Sequence, residues 1–516
     1  MKPVTVEIKI DPDRIHKPGA IRKAALSKAG MQDNPNVYTR VTRRSIDARS
    51  KRPQFVLQVV IASQESAETE GPFFRPVPLK GRRVAIVGAG PAGSVAALTL
   101  LEHGILPIVL ERGKDVNARR KDLKPLFTTG AVNPHSNYCF GEGGAGTYSD
   151  GKLYTRATKR GDVGRILDLL IEHGASPDIR IDAHPHLGSN MLPRIVRRIR
   201  EAIEDAGGEI HFDTHVTDLV LKDGQVRGAV LADGSTVDAD AVILATGHSA
   251  RDVFHMLHAQ GIAIEAKPFA LGVRIEHPQE LIDEIFYHQS PRHSNLPAAS
   301  YRITQQVQER GVFSFCMCPG GFVVPASTAP GELVLNGMSL AARNAPFANA
   351  GLVVEIRLED IGGGENPLSA LEFQASVERA MFAAGDGISQ KAPAQMVSDF
   401  IMGRVSSALP KSSYIPGIYS APLHELLPEG VAKRLRASLP LFGRKYKGYD
   451  SGEAKVLAVE SRTSSPVRIP RDKETLEHPS AKRLFPCGEG AGYAGGIISA
   501  AMDGERVASA VAAIIG

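Results

Sequence analysis

Residues 83–112 read RVAIVGAGPAGSVAALTLLEHGILPIVLER, and the fold is decided here. The run VAIVG (84–88) is continuously apolar, as a parallel strand covered on both faces must be. A helical pattern opens at Pro91 and closes at His103-Gly104, and a second apolar strand, PIVLE, occupies 107–111. Gly88-Ala89-Gly90-Pro91-Ala92-Gly93 joins the first strand to the helix. Gly88 allows the tight turn, Gly90 lets a diphosphate reach the backbone, and Gly93 lets the helix pack on the strand. The free N–H groups and dipole at the helix start attract the diphosphate. Glu111, ending the second strand, is placed to accept hydrogen bonds from an adenosine ribose, with Arg112 beside it. Strand, helix and acid in register predict dinucleotide binding.

Two distant segments extend this site: AVILATG with His248 (241–248), and FPCGEGAGYAGGIISAAMDG (485–504). An NAD domain completes its site within one contiguous block, whereas here the pieces are scattered. The set resembles the flavoprotein superfamily that includes glutathione reductase and the aromatic hydroxylases. That resemblance implies FAD, with Ala245, Thr246 and Gly247 passing close to it and Glu489, after Gly488, reaching the ribityl chain. It also implies that the helix start at Gly495, Gly496, Ile497 and Ile498 faces the flavin pyrimidine ring. A helix N-terminus there stabilises the negative charge of reduced flavin.

Two further motif matches are decoys. Gly141–Gly146 spells GxGxxG, but no apolar helix follows; Gly146–Lys152 spells GxxxxGK, but Leu153 replaces the required Ser or Thr. The better reading is one Gly-rich loop, 141–151, closing over the cofactor, with Gly144 and Gly146 against it and Thr147, Ser149 and Lys152 as polar contacts. Val216 completes the expected cofactor-contact set.

NYCFGEGGAGTYSDGKL (137–153), CMCPGGFVVPAS (316–327), ESRTSSPVRIPRD (460–472) and the late Cys-Gly-Glu-Gly occur in order. Together, over nearly the whole chain, they resemble a bacterial family of FAD-dependent dehydrogenases; no substrate follows from that likeness. A looser group of similar fold includes a flavoenzyme that reduces a uridine in ribosomal RNA.

The rest of the pattern predicts an α/β protein: a discontinuous Rossmann-type FAD-binding domain, an inserted mixed α+β substrate domain and a small N-terminal α+β module. The module spans 1–78, with strands at 3–10, 38–48 and 54–62, a helix ending at Gly30 and a linker over 63–80. The FAD domain takes 79–261 and 456–516, including an amphipathic helix at 191–206 and short strands at 209–213, 216–222 and 226–231. The insert takes 262–455, with strands near 269–275, 312–324, 332–338 and 352–357 and helices near 366–384 and 423–438. None of the FAD motifs lies in the N-terminal module. A chain starting at Leu79 is therefore expected to fold and bind FAD, unless the module's apolar face seals the substrate domain.

The chain has 516 residues, too many for one core, and no apolar run reaches the ~18 residues of a membrane span. Four cysteines make no disulfide framework, which places the protein in a reducing cytoplasm. None forms the CxxC or CxxxxC pair of flavin disulfide reductases; Cys316-Met317-Cys318 reads first as small buried filler, with a redox role for the pair as the alternative. No cluster has metal-ligand spacing. Residues 1–80 carry 15 Lys/Arg against 8 Asp/Glu, a modestly basic unit on a nearly neutral body. For work at the flavin, Arg462 and Arg468 are candidates to bind a substrate carboxylate, or equally to form a structural ion pair with Glu460, and His248 is a candidate general acid with a structural role as the alternative.

The expected function is an FAD-dependent oxidoreductase transferring hydride between flavin and an organic small molecule. No second fingerprint exists for NAD(P)H, so NAD(P)H as external donor would visit the same face, or another protein would deliver electrons. Two rivals are an RNA-modifying flavoenzyme recruited through the basic module (Arg40, Arg43, Arg44, Arg49, Lys51 and Arg52) and a non-catalytic FAD-binding protein.

Overall fold

The computed structural model describes residues 2–63, 71–155 and 158–516. Its nucleotide-binding half is a five-stranded sheet in the order Leu484–Pro486, Ala241–Leu244, Arg83–Val87, Leu106–Leu110, Glu209–His211. Every pair is parallel, with Ile86 beside Ile243 and Ile243 beside Phe485. Strands from the start, middle and end of the chain thus lie side by side. Val84, Ala85, Ile86, Val242 and Ile243 are fully buried, as continuously apolar strands between two layers should be.

One face carries the helices Pro91–Glu102, Leu192–Asp205 and Ile497–Ile515. The fingerprint helix and the C-terminal helix pack so closely that a Cβ on Gly504 would lie 2.1 Å from the carbonyl oxygen of Ala92. The other face is covered by the helix Arg251–Ala259 and by a three-stranded antiparallel sheet, Val216–Lys222, Gln225–Leu231 and Thr236–Asp238. Of the short strands expected after 209, only the first joins the parallel sheet; the other two belong to this separate layer.

The second half is a seven-stranded sheet centred on Phe269–Pro278, which pairs antiparallel with Phe347–Ile356 and with Lys455–Glu460. Because Lys455–Glu460 belongs to this sheet, the boundary expected at 455/456 moves beyond Glu460. The strand expected over 312–324 is two strands, Arg310–Cys318 and Gly321–Pro325. Between them Gly320 has φ +48°, and a Cβ there would lie 1.9 Å from the carbonyl oxygen of Arg343. The helix expected over 423–438 is likewise two, Leu423–Leu426 and Glu429–Lys445, broken at Leu427-Pro428.

The N-terminal module has its own three-stranded sheet, Val4–Ile10, Gln54–Ala62 and Tyr38–Asp47, with the helix Ala20–Ala29 against it. It is not separate from the body. Ile8, Ile10, Leu57, Val59 and Ile61 belong to the same continuous hydrophobic cluster as Leu271, Val273 and Leu352 of the seven-stranded sheet. Arg44 exchanges backbone bonds with Ile181 and Ala183, and its guanidinium binds Asp182 at 2.6 Å. Part of the expected linker, 64–70, lies outside the described residues. The rest runs along the FAD half: Phe73 and Phe74 N–H donate to Glu172, and Lys80 N–H donates to Gly104.

Candidate active site

The fingerprint builds as its spacing requires. Gly88 has φ +105°, and a Cβ on Gly93 would lie 2.0 Å from the Gly88 carbonyl oxygen. Gly90 differs: its backbone is extended, and a Cβ there would meet only the Cα of Gly144, 4.0 Å away. The open side of Gly90 faces a cavity. Gly88, Gly90, Pro91 and Ala92 line one wall, while Gly93 stays behind in the helix–strand contact.

The Gly-rich loop forms the facing wall. Gly143 N–H donates to the Ala89 carbonyl at 2.8 Å, so the loop docks directly on the fingerprint. Gly144, Gly146, Ser149 and Lys152 line the cavity. Thr147 does not; it is buried, and its hydroxyl donates to the Glu142 carbonyl at 2.8 Å. The short backbone turn consumes its hydroxyl, so Thr147 holds the loop in place of the expected polar contact.

Two buried charged residues shape this loop. Glu111 was expected to meet a ribose. It lines the cavity, but its carboxylate accepts N–H bonds from Ala89 (2.8 Å), Gly113 (2.9 Å) and Gly141 (2.9 Å). It therefore clamps both glycine loops together. Arg119, fully buried, donates to the carbonyls of Asn137, Tyr138, Glu142 and Gly144 at 2.7–2.9 Å. Nothing in the local pattern singled out Arg119, whose hydrogen-bond partners are all backbone oxygens. Arg112 lies over the Phe140 ring at 4.5 Å and pairs with Asp252 at 2.5 Å, on the same stretch of wall as Val216.

Ala245, Thr246, Gly247 and His248 pass across the floor, with Gly488 and Glu489 beside them. His248 Nδ1 is 3.5 Å from Glu489 Oε1. At the start of the C-terminal helix, Gly496 and Ile497 face the cavity. Gly495 does not line it, and Ile498, on the opposite side of the turn, is in the core.

The two arginine assignments change. Arg462 reaches the cavity wall, but it donates to Glu378 (2.9 and 3.1 Å), Glu332 (3.0 Å) and Thr328 (2.6 Å). Four of its five N–H donors are thereby engaged, leaving no bidentate grip for a substrate carboxylate. Arg468 is half-exposed on the short strand Val467–Arg468, outside the cavity, 3.9 Å from Glu265. In their place the far wall holds Phe315, Cys316 and Asn336 from the insert, opposite Asp150 and Lys152. Cys316 is thus a wall residue and not buried filler, whereas Cys487 is in the core.

A dinucleotide with a flavin fits these residues. The helices starting at Pro91 and Ile497 have glycine N-caps with no side-chain cap, so both present free N–H groups to one cavity. One suits a diphosphate and the other an electron-rich ring edge.

Comparison with known proteins agrees. Residues 82–121 match a family model described as "FAD binding domain", 191–316 one described as "FAD dependent oxidoreductase", and 268–463 one described as "FAD-dependent protein, C-terminal domain-like". Residues 1–62 match a domain of unknown function. An uncharacterised protein of Clostridium beijerinckii is 41% identical over 510 residues, 95% of each chain. The chain belongs to this family of FAD-dependent oxidoreductases. FAD is its cofactor. Protein FixC of Escherichia coli K12 is 32% identical over 208 residues, covering 39% of this chain and 45% of FixC. Among solved structures, glycine oxidase from Bacillus cereus overlaps 84% of this chain and 96% of its own at 12% identity, with a TM-score of 0.31.

Proposed function

We propose that this oxidoreductase transfers hydride between FAD and a small organic molecule bound where the Gly-rich loop meets the seven-stranded sheet. The observation carrying this reading is that one cavity takes in both uncapped helix N-termini and also Lys152, Cys316 and Asn336, so cofactor and substrate share a single enclosure. FAD supplies the two-electron chemistry when bound. The chain's own residues hold and orient. The N–H groups after Gly90 would hold the diphosphate, and Glu489 would accept from the ribityl hydroxyls. His248, beside Glu489, is placed to carry a proton to solvent. Lys152 offers an ammonium donor to a substrate oxygen; burial works against its charge, but the neighbouring thiols and Asp150 hold it protonated.

RNA recruitment loses support at the module's basic face. Arg44 binds Asp182, and Arg49 binds Asp47 at 2.8 Å, so two of the six candidate cations are already paired.

The test is direct. Purified protein should be yellow, release intact FAD on denaturation, and bleach anaerobically with NADH or NADPH; a panel of small oxidised acceptors should then restore the colour. A colourless protein that cannot be reconstituted with FAD would sink the reading.

A further inference from the structure

The strand Arg310–Cys318 loses register with its neighbour between Phe315 and Cys318. At this irregularity Cys316 takes φ +43°, the left-handed region that a residue with a side chain seldom adopts. The distortion turns Cys316 out of the ladder and into the cavity wall, while Cys318 remains fully buried behind it. Cys318 Sγ donates to the Cys316 carbonyl oxygen at 3.3 Å, so the second thiol is folded back against the backbone of the first cysteine.

The charges around this pair do not balance without it. Lys152 Nζ is 3.9 Å and Arg274 Nη2 is 3.8 Å from Cys318 Sγ, and Arg343 stands behind, bound to Asp150. The facing carboxylates are Asp150, 3.0 Å from Lys152, and Glu460, 2.8 Å from Arg274. Three cations thus meet two carboxylates. His186 and Tyr301 also face the cluster, and burial favours the neutral form of each. Cations outnumber carboxylates by one here, and a thiolate at the pair would offset the excess where Lys152 opens on the cavity. Of the two thiols only Cys316 opens on the cavity; hydrogen bonding from Cys318 and the nearby Lys152 and Arg274 lower it, while burial raises Cys318. The result is a nucleophile facing the cavity with a neutral thiol behind it.

We propose that Cys316 and Cys318 form a dithiol–disulfide centre that reduces a small-molecule disulfide entering the cavity. In the first exchange the Cys316 thiolate attacks one sulfur of R–S–S–R, giving the mixed disulfide Cys316–S–S–R and releasing R–S⁻. In the second, Cys318 loses its proton to the departing thiolate and attacks Cys316 Sγ, giving Cys316–S–S–Cys318 and R–SH. Two electrons pass from the cysteine pair to the substrate disulfide, and an external dithiol returns the pair by the reverse exchange.

Intact mass and peptide mapping of the FAD-loaded, prereduced protein test this, with hydroxyethyl disulfide as the probe. The expected result is a 316–318 intrachain disulfide with no retained hydroxyethylthio group. Cys318→Ser should instead keep one such group on Cys316. Iodoacetamide labelling of Cys316 should rise with a midpoint well below the about 8.5 of an ordinary thiol. The wild-type map needs no variant to fold. Recovery of both residues as free thiols after probe treatment, or a Cys316 midpoint near the ordinary value, overturns the proposal.

Discussion

Glu111 shows how one residue can satisfy a motif and still do a different job from the one the motif suggests. Its position at the end of the second strand was legible; its three backbone partners were not, because two of them arrive on loops at 89 and 141. Glu111→Ala leaves three buried N–H groups unpaired, at about 1–3 kcal/mol each. The expected outcome is a large loss of stability, read as a lower urea midpoint, together with loss of FAD. Glu111→Gln separates the two roles, because an amide can still bond ribose hydroxyls but turns an NH₂ toward N–H donors. Little rescue by Gln favours the clamp; full rescue favours the ribose contact. Arg119 behaves alike: Arg119→Lys replaces a fork serving four carbonyls with a single ammonium, so loop order and FAD retention should both fall.

At the scale of elements, the strands and helices around the fingerprint were readable because period and caps agreed, as with Pro91–Glu102 and Leu192–Asp205. The misread elements were decided by tertiary contacts. Arg310–Cys318 ends where Gly320 must pass beside Arg343, a meeting no local pattern reveals. The glycines of the fingerprint helix make separable predictions. Gly90→Ala places its methyl in open space, so stability should stay within about 0.5 kcal/mol while FAD affinity collapses. Gly93→Ala drives a methyl into the Gly88 carbonyl, so thermal stability itself should fall. Equal loss of stability in both variants would mean Gly90 is structural. A second element-level junction is the cluster of Arg251 and Arg462 with Glu332 and Glu378. Burial opposes ionisation of Glu378, but the two arginines win and hold it at about 2. A carboxylate lowered on folding stabilises above its unfolded value of about 4.3, and that contribution is lost as pH falls toward about 2. Glu332, raised by burial, works in the opposite sense. Glu378→Gln should therefore cost about 3–5 kcal/mol at neutral pH and flatten the acid limb of a urea-midpoint profile.

For the whole molecule, the scattered strands of the FAD sheet could be assembled because each carried its own motif, at 84–93, 241–248 and 485–496. The place of the N-terminal module could not, since its alternating strands show which residues are apolar and not what they meet. Its order of strands suggested independence; the folded chain merges its core with that of the seven-stranded sheet. Asn295 Nδ2 donates to the Pro12 carbonyl at 2.9 Å, and His293 lies 3.0 Å from Asp13, so polar contacts reinforce the junction. A chain starting at Leu79 would lose Ile8, Ile10, Leu57, Val59 and Ile61 from a shared cluster, and burial of each such side chain is worth about 1.5–3 kcal/mol. Part of that packing is internal to the module, yet a fraction alone rivals a net folding stability of about 5–15 kcal/mol. The truncated chain should therefore aggregate or melt well below the full chain, with FAD released at the same temperature. Ile8→Ala and Leu57→Ala in the full chain, each costing about 2–5 kcal/mol, should lower the melting of the whole protein in one transition. Two separate transitions, with FAD lost only in the upper one, would show that the module folds by itself after all.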